Sequence, residues 1–107
     1  MKDSRRGYIY LASSTAPIYK IGCSKNPIKR LSGLNYLGYK KFNLISKVFF
    51  ADMYEAEHAV HMFMDAFRGD GELFLFDSVD TAREFFIESS REYFDSPYNS
   101  GGVFNVC

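Results

Sequence analysis

No apolar run in this 107-residue chain reaches the roughly 18 residues that a membrane-spanning helix needs, which argues against a helical membrane protein. Met1 to Arg6 is polar and has no apolar core of the kind a signal peptide carries, so the expected compartment is the cytoplasm. Cysteine is scarce: Cys23 and Cys107 cannot supply the disulfide framework of a small secreted domain, and both read as reduced thiols. Repeats and low-complexity segments are absent. Acidic residues are nearly missing from the first half. Residues 1–47 hold ten Lys or Arg and one acid, Asp3, whereas residues 48–107 hold three basic and twelve acidic side chains. The net charge is zero, yet the halves carry opposite charge, which is a mark of a polyanion-binding face or of two halves that pair with each other.

What is abundant is aromatic: eleven Phe and eight Tyr are enough bulk for one core. The length predicts a single domain, taken as residues 1–95, followed by an irregular turn-rich tail at 96–107. Gly7 to Ser13 is rich in β-formers and predicts a strand; Ser14 to Pro17 reads as a turn, and Ile18 to Gly22 as a second strand of a hairpin. Asn26 before Pro27 is an N-cap followed by proline at the first helical position, predicting a helix from Pro27 to about Leu34 with Ile28, Leu31 and Leu34 on one stripe. Leu44 to Phe50 predicts a third strand. Asp52 opens a helix expected over 53–68, its stripe being Ala56, Ala59, Val60, Phe63 and Phe67. Glu72 to Phe76 reads as a short strand or extended segment. Asp77 or Ser78 can cap a last helix from Val79 to about Phe94, with Ala82, Phe85, Phe86 and Tyr93 apolar. The order β-β-α-β-α-(β)-α gives an α+β (mixed α/β) class, a small central sheet flanked by helices.

Alternation in the strands sorts the side chains. Tyr8 and Tyr10 share one face of the first strand, opposite Ile9 and Leu11; Lys20 points away from Tyr19 and Ile21. If the hairpin packs on the first helix, Tyr10, Lys20 and Arg30 converge on one polar patch. That patch combines a proton acceptor, a cation and a bidentate phosphate ligand. A hard divalent cation would need a carboxylate, and Glu55 and Glu57 both flank the stripe of the second helix, so periodicity does not choose between them. Glu57 has His61 four positions on, on the same face. His58 and His61 raise zinc, but no cysteine or third ligand stands at a fitting spacing.

Four stretches carry a resemblance. "YIY" at Tyr8–Tyr10 is followed after nine residues by "KIG" at Lys20–Gly22, then by Arg30 eight residues past the glycine, and then by "EAEHAVH" at Glu55–His61. Together they resemble the GIY-YIG nuclease superfamily, and most of all its small phage-type branch, often labelled a DNA-binding domain, which reads YKIG…R, AExxxH and GEWF. Here the last is "GELF" at Gly71–Phe74, and the match spans about Gly7 to Phe86. The resemblance implies a metal-dependent DNA endonuclease that hydrolyses phosphodiester bonds. Tyr10 matches the tyrosine that helps activate water, Arg30 the helix arginine that steadies the scissile phosphate, and Glu57 the glutamate that binds one magnesium (or manganese) ion. Lys20 stands where the superfamily has its second tyrosine, as is usual in the phage-type branch. Tyr8 replaces the motif glycine, which Gly7 adjoins. The superfamily's late asparagine has no clear match, with Glu72 in its region. His61 matches the branch histidine, a second polar contact.

A phenol is protonated near neutral pH and needs nearby cations to act as a base; a neutral Lys20 is the alternative acceptor. Tyr8, Lys25, Lys29, Arg30, His61 and Glu72 are expected to contact the substrate, single- or double-stranded DNA. The expected setting is the cytoplasm, that of the host cell if the chain is phage-encoded, and any specificity is expected from the domain itself, from a homodimer or from a protein partner. The alternative is a catalytically inactive module of the same fold that binds DNA or another protein.

Overall fold

The structure is a computed structural model and describes residues 5–14, 17–36, 41–69 and 73–97, without the side chains of 34–36. Strands β1 (Gly7–Ser13) and β2 (Ile18–Ser24) form the expected hairpin, and β3 (Asn43–Phe50) pairs with the other edge of β1. A three-residue strand, β4 (Leu73–Leu75), adds to β2, giving an all-antiparallel sheet in the order β3-β1-β2-β4. Helices α1 (Pro27–Tyr36), α2 (Met53–Phe63) and α3 (Val79–Phe94) complete a mixed α+β globule.

The cap residues set the helix starts. Asn26 Oδ1 accepts from the Lys29 amide at 3.2 Å, Asp52 accepts from the Glu55 amide at 3.1 Å, and Ser78 Oγ accepts from the Thr81 amide at 3.2 Å. Strand alternation then divides the sheet into two faces. Ile9, Leu11, Tyr19, Ile21, Val48, Phe50 and Phe74 point to one side, where they bury against Ala56 and Val60 of α2 and Ala82, Phe86 and Tyr93 of α3. Tyr10 and Ala12 point to the other, where Leu31 of α1 covers them beside Phe42 and Leu44. The main core therefore lies under α2 and α3, and α1 closes part of the opposite face.

Two stretches depart from the periodicity. Helix α2 ends at Phe63 instead of running to 68: Met64 leaves helical geometry at φ −104°, ψ 14°, and a 3₁₀ turn follows at Asp65–Phe67. The break lets Met64 drop into the core and brings Phe67 onto Phe76 and Phe85, at 4.8 Å between ring centroids in each pair. Phe63, expected in the core stripe, is left 46% exposed, and Met53 is buried at the start of the helix in its place. On α1 only part of the expected stripe is used. Leu31 is buried, Ile28 is 62% exposed, and Leu34 falls among the side chains outside the description.

Gly7, which adjoins the first motif, sits in a close approach. A Cβ there would collide with Met53 Sδ and come within 3.2 Å of the Ser24 carbonyl and 3.3 Å of Lys25 Cα. β1, the end of β2 and the Met53 side chain at the start of α2 meet at this point, and a side chain here would require Met53 and the β2 backbone to shift.

The charge asymmetry becomes spatial. The basic half builds the hairpin, α1 and most of β3; the acidic half builds α2, α3 and their flanks. Arg5 Nε pairs with Asp52 Oδ2 at 2.8 Å across the two halves, while Arg68–Asp65 and Arg83–Asp80 lie within the acidic half. No helix among the described residues is long and apolar enough to cross a membrane.

Candidate functional site

The β1–β2 register fixes the first two candidate residues. Tyr10 stands opposite Gly22 and Ala12 opposite Lys20, so Tyr10 and Lys20 are diagonal neighbours on the face that α1 covers. Tyr10 is buried at 1% exposure, with Leu31 packed over its neighbourhood; Lys20 is half-buried and Arg30 exposed. Arg30 sits one turn into α1, its amide bonded to the Asn26 carbonyl at 3.0 Å, so the cap that starts the helix also fixes the arginine's place on it. The spacing of eight from Gly22 is the sum of the end of β2, the capped turn and that first turn of helix.

The second helix lies across the other face. His61 Nε2–H donates to the Ile21 carbonyl at 2.9 Å, and its ring stands edge-on to Phe74 at 5.2 Å. A carbonyl only accepts, so Nε2 carries the proton. Ile21 is the strand residue between Lys20 and Gly22, immediately past the point where pairing with β4 stops at Lys20. The His61 bond thus pins α2 to the part of β2 that carries the motif. Glu57, one turn earlier on the same helix face, lies half-buried on the side that borders β2.

Glu55 does something else. The Tyr93 hydroxyl donates to Glu55 Oε1 at 2.6 Å, tying α2 to α3. Burial first, then this hydrogen bond and the negative charges of Glu55 and Asp52, push the Tyr93 phenol above its ordinary range. The two glutamates that periodicity leaves equivalent are therefore distinct: Glu55 braces the helix pair, and Glu57 shares the face of His61. At the start of α2, burial works to raise the Asp52 carboxyl. The Arg5 guanidinium and the Glu55 and Tyr54 amides outweigh it, so Asp52 titrates below its ordinary range.

The expected site residues thus fall into two groups. Tyr10, Lys20 and Arg30 belong to the α1 side of the sheet; Glu57 and His61 belong to α2 and approach β2 from the other layer. Lys25 and Lys29 are exposed at the junction of β2 and α1, and Lys25 Nζ donates to the Arg6 carbonyl at 3.2 Å. Glu72 lies outside the described residues.

Lys47 and Phe49 are additions that the motifs do not mark. In the β1–β3 register Lys47 is opposite Tyr10 and Phe49 opposite Tyr8. Lys47 Nζ stands 4.5 Å from the centroid of the Tyr8 ring, within cation–π reach. The signal was present in the sequence, a lysine inside an apolar strand like Lys20, but only the register shows that it flanks the tyrosines.

As for a metal, no group of three or more His, Cys, Asp or Glu side chains among the described residues is placed to hold an ion. A protein-only cage such as structural zinc requires is therefore lacking there. Magnesium is held differently from zinc: it takes one or two carboxylates and fills its remaining positions with water and phosphate oxygens.

No curated protein and no solved structure matches the chain. A domain family does match, across residues 7–99, which include both motif strands, all three helices and β4. The match covers most of the chain, and the chain belongs to the T5orf172 domain family, a small phage-associated domain related to nuclease-type domains.

Proposed function

We propose that this chain is a metal-dependent DNA endonuclease of the GIY-YIG type, hydrolysing phosphodiester bonds. The observation that carries the reading is the hairpin register that sets Tyr10 and Lys20 diagonally on one sheet face, with the α1 arginine following directly from the capped turn. Arg30 grips a non-bridging phosphate oxygen pair through its planar fork and holds charge that develops at phosphorus. Tyr10 or Lys20 takes the proton of the attacking water, and Lys20 or Lys47 keeps cationic charge beside the Tyr10 oxygen. Glu57 would hold a magnesium or manganese ion, which when bound supplies Lewis-acid stabilisation of the phosphate. His61 keeps α2, and with it Glu57, at a fixed depth against β2. The setting in this reading is the cytoplasm of a phage-infected host.

The test is conversion of supercoiled plasmid to nicked circles with magnesium or with chelator, beside Glu57→Ala. Nicking that needs the metal and the glutamate supports the reading. DNA shifted in a gel but left intact under magnesium and manganese alike contradicts it.

The burial of Tyr10 favours a second reading, a DNA-binding module of the same fold that does not cut. A phenol at 1% exposure, beside Ala12 and Leu31, is as much a packing residue as a reagent.

A further inference from the structure

The face that carries Tyr10 and Lys20 is covered unevenly. Leu31 of α1 packs over its Ala12, Phe42 and Leu44 end. At the other end Tyr8 and Phe49 are half-buried, and they form a cross-strand aromatic pair, ring centroids 5.4 Å apart at an interplanar angle of 73°. Cations surround that pair. Lys47 Nζ lies 4.5 Å from the Tyr8 centroid, the Arg6 guanidinium carbon 5.6 Å from the Phe49 centroid, and Lys25 Nζ reaches the Arg6 carbonyl at 3.2 Å. The cluster is contributed by the segment entering β1, by β1 itself, by β3 and by the turn after β2, so the sheet fixes its spacing.

Aromatic rings on adjacent strands, interleaved with basic side chains on an open sheet surface, suit one kind of polymer. Unpaired bases stack on the rings while the cations track the backbone. A duplex keeps its base faces inside the stack and offers only phosphates to such a surface. We propose that Tyr8 and Phe49, with Arg6, Lys25 and Lys47, form a base-stacking platform for single-stranded DNA next to the Tyr10–Lys20 site. This rests on the endonuclease reading and gives its substrate a class: an unpaired nucleotide adjoining the scissile phosphate. Tyr8 and Tyr10 share the face about 7 Å apart along β1, so a base seated on Tyr8 belongs to a nucleotide beside the one at Tyr10. On binding, the Lys47 ammonium leaves the Tyr8 ring for a phosphate oxygen, and the base takes the vacated ring face.

The experiment is fluorescence anisotropy, in chelator so that nothing is cut, with an end-labelled single-stranded DNA 12-mer and the matching 12-base-pair duplex. The proteins are the wild type, Tyr8→Leu, Phe49→Leu and Tyr8→Phe. The platform predicts that wild type prefers the single strand. Each leucine variant should weaken single-strand binding about 5- to 150-fold per base lost from the stack, with duplex binding little changed. Tyr8→Phe keeps the ring and should keep the affinity, which separates stacking from loss of fold. Equal losses on both DNAs, or leucine variants that bind the single strand like wild type, overturn the platform. So does a wild type that binds only the duplex, and in these cases the endonuclease reading stands. Failure to bind either DNA at low salt overturns both.

Discussion

Replacing Tyr93 by Phe removes one oxygen from a side chain that is 2% exposed and whose hydroxyl donates to Glu55 Oε1 at 2.6 Å. Ring packing against Phe50, at 5.1 Å between centroids, is kept. The lost bond is to a charged acceptor, worth about 1.5–3 kcal/mol when fully buried. Glu55 belongs to the exposed side of α2 and rehydrates in the variant, so the loss falls below that range, about 1–1.5 kcal/mol. For a domain of this size that is a fall in Tm of roughly 4–10 °C.

The pH dependence supplies a second readout with a definite sign. The folded Tyr93 phenol is raised above its unfolded value of 10.0, so the unfolded chain releases this proton first. Its contribution is fully present below pH 10 and is lost as pH rises through the interval above it. Wild type should therefore lose stability between about pH 10 and 12 faster than Tyr93→Phe, and the two Tm curves should converge. Thermal melts followed by circular dichroism at pH 7.5 and at steps up to pH 11.5 measure both effects. Equal Tm values at pH 7.5 together with parallel alkaline curves would refute the Tyr93–Glu55 brace.

Three further outcomes follow from particular contacts. Gly7→Val should destabilise by about 1–3 kcal/mol, read as a lower urea midpoint, because the added atoms meet Met53 Sδ and the Ser24 carbonyl; an unchanged midpoint would show that the β1–α2 junction is looser than described. Asp52→Ala removes the α2 cap and the Arg5 pair; because the folded carboxyl titrates low, its contribution is present above about pH 4 and fades as pH falls, so wild type and variant melts should differ at pH 7 and approach each other near pH 2–3. Lys47→Gln should lower the slope of log K against log salt for DNA binding by about 0.7–0.9, one phosphate contact, and a slope equal to wild type would remove Lys47 from the interface.

The hairpin, β3 and α3 were legible because alternation, caps and turn residues agree locally: Ser78 caps α3, and Asn26 with Pro27 starts α1. The end of α2 was not, because apolar positions continue in helical period to Phe67 while the chain breaks at Met64; the reward for breaking is tertiary, the seating of Met64 and Phe67 in the core, and a local pattern does not contain it. Ile28 and Phe63 were misplaced for a related reason, since a stripe records which residues can be buried and not which face the rest of the chain covers. Strand order was equally out of reach: β4 joins β2, skipping over β3 and β1, through long-range pairing. Among the candidate site residues, Tyr10, Lys20 and Arg30 followed from alternation and spacing. Periodicity left Glu55 and Glu57 equivalent and the resemblance selected Glu57; the bond from Tyr93 to Glu55 is tertiary and required the fold, as Lys47 and Phe49 required the β1–β3 register.

The most direct measurement is a single-turnover cleavage assay with DNA saturated by protein, so that binding no longer limits the rate. Labelled DNA carrying an unpaired segment is mixed with wild type, Arg30→Ala or Glu57→Ala, and magnesium is added last. The account predicts a first-order loss of intact DNA by wild type. Both variants should slow it by at least about a hundredfold while still binding, the size expected when charge stabilisation at the reacting group is removed. A wild type that stays bound and leaves the DNA whole, or variants that cut at the wild-type rate, would contradict it.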